Sequence, residues 1–376
     1  MKNLSVCVLV TILLTSGCQQ TEDSERLAAD WAEEESGAAA IPVAQAEPAD
    51  LLDLRLRLSV GDRFPLIKSV RQSVQQQSAV GAAQADTELE LHLVLTVKEI
   101  TETSVMLDVW YSRVKFTQDG QGRRTVYDSM QPPRRLPYAA VPFSGLTGNG
   151  YAVRIGRDNQ IQELIGHDEF MARCMARVPE DRRQTLMNEI AVRFGDEGVA
   201  GFIPDTLGLL PFDAKAKLEL ASCVQEGDSW KYERHMMQPV PVNLKSTCRV
   251  VRTSNSRVEI DIAGRVTRGK TYSGGKTKAQ GAVSILGGTT SGVCIVDRRS
   301  GLPVDVKRTE ILQIMVAAAD GSEIRQDKRI DTQVRMFPEE RGPVVQAADS
   351  NSGVVPVAAE APQNGSGVQQ IPTQAR

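Results

Sequence analysis

The chain has 376 residues, of which 41% are apolar and 5% aromatic, and its 44 basic and 47 acidic residues give a formal charge of −3 at pH 7. This length accommodates one large or two modest domains with a substantial core. The near balance of charge argues against a protein that binds nucleic acid, because such proteins carry a basic face for the phosphates.

The N-terminus has the pattern of an export signal. Lys2 precedes the apolar run Leu4–Leu14, which is too short for a permanent transmembrane helix and fits the central region of a secretory signal. Thr15-Ser16-Gly17-Cys18 follows and resembles a bacterial lipobox, although that motif usually has Leu where Thr15 stands. The sequence therefore predicts a signal peptide at 1–17 and lipidation of Cys18, with ordinary secretion as the alternative. Gln19, rather than Asp, after the cysteine favours by this resemblance an outer-membrane anchor facing the periplasm.

Four cysteines remain once the signal and the lipidated position are set aside. In an oxidising compartment four cysteines allow three pairings. Cys248 and Cys294 lie in strand-like segments, which favours that disulfide and leaves Cys174 to pair with Cys223. The alternative is that some of them are small buried apolar side chains. We expect no zinc site and no cofactor, because no two cysteines have CxxC spacing and no histidine lies nearby.

Residues 18–50 predict a disordered acidic tether, since the stretch has a run of glutamates, two prolines and little apolar surface to bury. The first β repeat is predicted at 51–166. Its first strand is Leu54–Val60, where apolar and polar residues alternate, and Phe64–Gln76 and Val105–Phe116 are further strands. Alternation of this kind is typical of an antiparallel sheet that is covered on one face.

The clearest strand of the first repeat has leucine at every second position, with Glu88, Glu90 and His92 between them. The four leucines are Leu89, Leu91, Leu93 and Leu95. Trp110 falls on the nominally polar side of the next strand, which indicates that it covers a helix or lines a binding surface. His92 is expected to be an exposed histidine.

A helical connector is predicted at 167–217, because the apolar period changes from two to about four. Phe170 and Cys174 are one helical turn apart, and Pro179 begins a second helix with Leu186, Ile190 and Phe194 at four-residue spacing. The segment Gly198–Phe212 is unusually apolar for a loop and includes Phe202, Leu209 and Phe212.

The second β repeat is predicted at 218–338, and 339–376 reads as a disordered tail rich in Pro, Gly, Ala and Gln. Both repeats have a Gly-Asp turn that leads to an aromatic residue, at Gly61-Asp62 and Gly227-Asp228. Both later have an apolar-Asp-apolar strand centre, at Leu107-Asp108-Val109 and Ile260-Asp261-Ile262. The prediction is an α+β, mostly antiparallel protein with two similar curved sheets or half-barrels, produced by internal duplication, and helices between the copies.

This order of motifs, with Tyr127-Asp128-Ser129 in the first half and Ser300-Gly301 in the second, resembles an uncharacterised family of bacterial envelope lipoproteins from about Leu54 to Met336. The family implies no activity. More distantly, the architecture is similar to periplasmic lipoprotein carriers, which bind acyl chains on an apolar inner face. That second likeness is architectural only.

The sequence favours a binding protein over an enzyme. No GxSxG or HExxH motif occurs, and Asp62 and Asp228 are placed to make turns rather than to serve as paired catalytic acids. The predicted function is therefore a non-catalytic envelope lipoprotein. A lipid or other apolar ligand would lie in a groove formed by Leu89, Leu91, Leu93, Leu95, Trp110, Phe202, Leu209 and Phe212. The alternative is a scaffold that binds an envelope protein, in which the same apolar segment is plain core.

Overall fold

The computed structural model describes residues 51–78, 81–120, 122–176, 178–183, 201–218, 220–236, 242–268, 282–317 and 323–339. The predicted signal peptide, the tether and all but the first residue of the tail lie outside these ranges, as do Leu186, Ile190 and Phe194. The strands are β1 Leu52–Asp53, β2 Arg63–Ser78, β3 Gly81–Ile100, β4 Ser104–Gly120, β5 Arg123–Asp128, β6 Gly150–Gly156, β7 Ile161–Ile165, β8 Cys223–Val224, β9 Ser229–Met236, β10 Val242–Thr253, β11 Arg257–Arg268, β12 Ala282–Asp297, β13 Pro303–Ala317 and β14 Glu323–Met336.

The helical elements of the described residues are short. They are the α-helices α1 Val141–Ser144 and α2 His167–Cys174, the 3₁₀ turns Tyr138–Ala140 and Leu207–Leu209, and the helical stretches 180–183 and 201–202. The stretch 180–183 begins directly after Pro179, where the sequence predicted a second helix. Phe170 and Cys174 are both buried on α2, as their spacing predicted. No helix in the described ranges is long and apolar enough to cross a membrane.

Twelve strands form one antiparallel sheet in the order β7-β6-β4-β3-β2-β14-β13-β12-β11-β10-β9, with β5 paired to β4 beside this path. The predicted class, mostly antiparallel β with few helices, is confirmed. The two predicted repeats do not form two sheets, however, because β14 pairs with β2 from Arg325↔Gln77 to Met336↔Leu66. Apart from this sheet, β1 and β8 pair with each other through Leu52↔Val224 and Asp53↔Cys223.

The predicted strand at Leu54–Val60 is wrong. Leu54 is buried and Leu56 and Leu58 are half-buried, with Arg55 and Arg57 exposed between them, but Val60 is exposed and residues 54–59 are not part of a ladder. Its backbone N–H groups instead bond to turns, from Leu54 to the carbonyl of Ser222 and from Arg57 to the carbonyl of Ser300. The alternation of apolar and polar residues therefore indicates here that one side of the segment is buried, and it does not indicate strand pairing.

The sheet has an inner face, which forms the core, and an outer face. On β3 the leucines from Leu89 to Leu95 are at most 4% exposed, whereas the residues between them are partly exposed. Most buried side chains of both halves belong to one core cluster. A smaller second cluster includes Leu244, Leu312 and Val316, at the far end of β10 and β13.

Two Gly-Asp turns in the described residues make the same hydrogen bonds. In the first, the N–H of Ser59 donates to Oδ2 of Asp62 at 2.7 Å, and the N–H of Gly61 donates to the carbonyl of Val97. In the second, the N–H of Gln225 donates to Oδ2 of Asp228 at 2.8 Å, and the N–H of Gly227 donates to the carbonyl of Val250. The prediction that both aspartates make turns is confirmed.

The next turns of the two halves also match. Ser104 N–H donates to the hydroxyl of Thr101 in the β3–β4 turn, and Arg257 N–H donates to the hydroxyl of Ser254 in the β10–β11 turn. A guanidinium then caps each turn, since Arg157 donates to the carbonyls of Thr101 and Glu102 and Arg298 donates to the carbonyl of Ser254. These turns, together with β6–β7 and β12–β13, lie at one end of the sheet, which we call the proximal end.

Alanine at Gly61 or at Gly227 is expected to destabilise the fold by about 1–2 kcal/mol. The φ angles are +90° and +96°, and a Cβ would meet no atom within 4 Å at either site, so the cost is conformational. Urea denaturation of Gly61→Ala and Gly227→Ala measures it. Gly120→Ala is the control, because its Cβ would make only an ordinary contact with Ala85. A loss no larger than that of the control would contradict the prediction.

Candidate functional site

The predicted apolar groove is occupied by the chain itself. Leu89, Leu91, Leu93 and Leu95 face inward and share the main core cluster with Phe202 and Leu209, both of which are fully buried. Every residue of 201–211 is buried, although this segment is neither strand nor long helix. Within the described residues these groove positions are therefore packed against protein.

Trp110 is not beside the leucines, which corrects the predicted groove. It pairs with Val94 in the β3–β4 ladder, between the Leu93 and Leu95 positions, so it lies on the opposite face. There it is 51% exposed. Phe212 also differs from the other groove residues, because it is only half-buried and lies at the proximal end.

Backbone carbonyls of the 201–211 segment are held by side chains from β9. Trp230 donates from Nε1 to the carbonyl of Leu209 at 3.1 Å, and the hydroxyl of Tyr232 donates to the carbonyl of Pro204 at 3.0 Å. The aromatic residues after the Gly-Asp turn therefore have a defined task in this half: they fix an irregular backbone that has no ladder of its own.

Asp205 anchors the same segment through three cations, a set we call the Asp205 cluster. Lys68 of β2 donates to Oδ2 at 2.8 Å, while Arg234 of β9 and Arg308 of β13 donate to Oδ1 at 3.0 and 2.6 Å. Burial alone would raise the pKa of Asp205, but the charges of Arg308, Lys68 and Arg234 outweigh it and hold that pKa well below its usual range. Asp205 is therefore a carboxylate at every physiological pH.

Arg308 is fully buried between two carboxylates. Burial favours its neutral form, but Asp205 and Glu310 reverse that effect and raise the pKa of Arg308 above its usual value. Sequence reasoning missed this cluster. The available signal was Asp205 itself, the one acidic residue in the apolar run from Gly201 to Leu210.

An open cavity of about 300 Å³ lies at the proximal end. Its apolar lining comes from Leu54, Leu56, Leu58, Ile100, Val105, Phe212, Leu218 and Ala221. Its charged lining consists of Arg55, Arg57, Arg157 and Asp53. Asp53 accepts hydrogen bonds from Arg55 and Arg57. The lining contains three guanidiniums and one carboxylate, so its net charge is positive. Such a site suits a molecule with an apolar part and an anionic group.

The four cysteines of the described residues are free thiols, so neither predicted disulfide is present. Cys248 pairs with Ile262, and Cys294 pairs with Ile260, so β11 lies between them. Two strand spacings, about 9.6 Å, exceed the span of a disulfide. Burial raises the pKa of the Cys174 and Cys248 thiols to about 12, which is the behaviour of small apolar core residues.

His92 and His167, the histidines whose side chains the structure describes, lie on different elements. His92 lies partly exposed on the outer face, with Nε2 at 2.7 Å from Oε1 of Glu90. His167 begins α2 and packs edge-on against Tyr151, and burial lowers its pKa although Asp168 opposes this. Among the residues that the structure describes, no group of three His, Cys, Asp or Glu side chains is placed to hold a metal ion.

A sequence model described as a family of unknown function (DUF6263) matches residues 102–303, which is more than half of the chain. No curated protein matches. Among solved structures, the chain is similar to the translocator domain of the autotransporter NalP from Neisseria meningitidis, with 6% identity, 75% of this chain and 90% of that chain covered and a TM-score of 0.25.

Two further structures are similar at the same low level. An outer membrane channel from Pseudomonas putida F1 has 9% identity over 78% of this chain and 100% of that chain, with a TM-score of 0.17. A putative outer membrane lipoprotein-sorting protein domain from Vibrio parahaemolyticus has 8% identity over 73% and 85%, with a TM-score of 0.11. Such scores establish no shared fold, and no functional argument is built on them.

Replacing Asp205 by Asn is expected to lower the free energy of unfolding by about 3–5 kcal/mol, because Lys68 and Arg234 lose a counterion at a largely buried site and the buried Arg308 keeps only Glu310. Since the pKa of Asp205 is depressed, the contribution of its charge is complete above the usual Asp pKa of about 3.9 and is lost only as pH falls below it. Urea denaturation at neutral pH and in acid measures both effects.

The control is Asp261→Asn, at an exposed position in the middle of β11, which should leave the free energy of unfolding nearly unchanged. Equal, small losses for the two variants would show that the Asp205 cluster does not hold the segment.

Proposed function

Because the chain belongs to the DUF6263 family, whose function is unknown, we propose a function from its own geometry. The protein is a lipid-anchored, non-catalytic component of the bacterial envelope that binds an amphiphilic ligand in the proximal cavity. The groove predicted from the sequence is filled by residues of the chain itself, so the proposed ligand site is instead the cavity at the proximal end of the sheet.

The lining of the cavity is the observation that carries this proposal. Leucine, isoleucine and phenylalanine side chains offer apolar contact to a hydrocarbon chain, and the rim supplies guanidiniums, which bind carboxylate and phosphate groups in a bidentate manner. A volume of about 300 Å³ falls at the lower end of the range of small-molecule sites. A fatty acid or the end of a lipid fits both properties.

The same lining supports binding rather than catalysis. Proton transfer requires a group whose pKa is close to the working pH. Guanidiniums have no proton acceptor and do not serve as general bases. Burial alone would raise the pKa of Asp53, but the hydrogen bonds from Arg55 and the charges of Arg55 and Arg57 outweigh it and lower that pKa. These groups are suited to holding an anion in place.

The lipid anchor and the envelope address rest on the Lys2, Leu4–Leu14 and Cys18 pattern. Mass spectrometry of the full-length protein expressed in a bacterium should find Cys18 as a diacylated N-terminus. Cys18→Ser should abolish the lipid and release the protein from the membrane fraction. An unmodified Cys18 would contradict the anchor.

The filled groove favours a second candidate function, a scaffold that binds an envelope protein and no small molecule. Phe202 and Leu209 are plain core in that case, which agrees with their complete burial. Cross-linking in the native envelope separates the two, because a scaffold gives one reproducible protein partner whereas the amphiphile-binding protein gives lipid adducts.

We also infer that the two halves arose by duplication, with α2 and the 3₁₀ turn Leu207–Leu209 in the connection between them. The matched Gly-Asp turns, the matched hydroxyl turns and the bulges between Val97 and Glu99 and between Val250 and Arg252 support this. An experimental structure in which either Gly-Asp turn lacked these bonds would remove the support.

Leu218→Asp is expected to reduce labelling by a photoactivatable fatty acid about tenfold, because it places a carboxylate in the apolar lining. Full-length protein in envelope membranes is irradiated, and adducts are counted by mass spectrometry. Leu286→Asp is the matched control, since Leu286 is 53% exposed against 56% for Leu218 and lies on β12, outside the cavity lining. Equal labelling of both variants and the wild type would contradict the cavity as the ligand site.

A further inference from the structure

Exposed apolar side chains gather at the proximal end. Of the twelve large apolar residues that are exposed in the described ranges, six lie there: Leu51, Val60, Ile100, Leu218, Leu220 and Phe337. Val60 is the tip of the first Gly-Asp turn and is 64% exposed, and Leu220 is 53% exposed. We call these six residues the apolar rim.

Members of the rim lie at or beside the cavity and at the start of β2. Ile100 and Leu218 also line the cavity, and Leu220 is next to Ala221, which lines it as well. Phe337 directly follows β14, and its N–H donates to the carbonyl of Pro65 near the start of β2. Apolar residues that are grouped at one end, instead of being scattered singly, indicate an interaction surface.

The chain arrives at this same end from its predicted anchor. Leu51 is the first described residue and a member of the rim, and the predicted tether 18–50 joins it to Cys18. A flexible chain of that length has a root-mean-square reach of about 30 Å. A predicted tether of this length would keep the rim within about 30 Å of the lipid surface if Cys18 is acylated.

Charge at the mouth of the cavity agrees with a lipid surface. Arg55, Arg57 and Arg157 stand against Asp53, so the mouth has an excess of guanidiniums. Phosphate groups of lipids are the anions that such guanidiniums bind at a membrane. Apolar side chains with adjacent arginines are the composition of a surface that enters the headgroup region without spanning the bilayer.

We propose that the proximal end docks on the membrane that holds the lipid anchor, with the apolar rim inserted among the headgroups and the cavity opening toward the lipid. This inference rests on the proposed function for the anchor at Cys18, but not on the identity of the ligand. Docking of this kind places the cavity where an amphiphile can enter from the bilayer without crossing water.

The test places a photo-cross-linking amino acid at one position at a time in the full-length, lipidated protein. Rim positions are Val60 and Leu220, and matched controls are Leu286 and Ile311, which are 53% and 42% exposed on β12 and β13. All four side chains are already exposed, so the replacements should not disturb the core. The protein is reconstituted in vesicles of phosphatidylethanolamine with phosphatidylglycerol as the minor component.

Docking predicts about tenfold more lipid adducts from the rim positions than from the controls, since a docked rim stays in contact with lipid. Equal adduct yields at all four positions would overturn the proposal, and so would adducts from the rim to protein in place of lipid. This experiment can refute docking without refuting the proposed ligand site, and the reverse also holds. Fatty-acid labelling in the cavity with no rim adducts would refute docking alone, and rim adducts without such labelling would refute the ligand site alone.

Discussion

The structure depends on one buried carboxylate. Asp205 contacts β9 at one edge of the sheet, β13 four places along the strand order and β2 six places along it. Hydrogen-bonded ladders connect only neighbours, so this carboxylate is the group that ties distant strands to one point. The inner face of the sheet therefore surrounds the 201–211 segment, and the apolar side chains of that segment complete the core.

A buried ion cluster of this kind is a costly way to fill a core, because Asp205, Arg308 and Glu310 are buried and Lys68 and Arg234 are partly buried, so all of them lose hydration. We infer that the cluster contributes specificity: an apolar segment without a ladder could pack in many positions, whereas Asp205 is neutralised only where Lys68, Arg234 and Arg308 converge. The hydrogen bonds from Trp230 and Tyr232 act in the same direction. In the described part of the chain the interior is therefore occupied, and the open cavity lies at the proximal end.

Local patterns predicted the strands well. The alternation on β3, the Gly-Asp turns and the apolar-Asp-apolar centres all lie where the sequence placed them, because period-two burial and turn chemistry are decided by near neighbours. The pairing of β14 with β2 could not be predicted, since ladder partners far apart in sequence leave no local signal. The same limit applies to Leu54–Val60, whose alternation is real but whose partners are turns.

The candidate site was predicted only in part. Phe212 is at the cavity, but Trp110 and the leucines of β3 are not, because the sequence did not show that 201–211 would fill the inner face. The two matching Gly-Asp turns suggested two equivalent halves, yet Arg234, Arg308 and Lys68 all donate hydrogen bonds to the one carboxylate of Asp205. The two halves therefore have matching turns, but they share one core.

Native-state hydrogen exchange of the 201–211 amides tests the central claim most directly. If the Asp205 cluster fixes this segment in the core, the amides of Thr206, Gly208, Leu209 and Leu210 should exchange as slowly as those in the middle of β10, through global unfolding. Exchange at the rate of the exposed turn at Asp213–Lys217 would show that the segment opens independently, and the account would then be wrong.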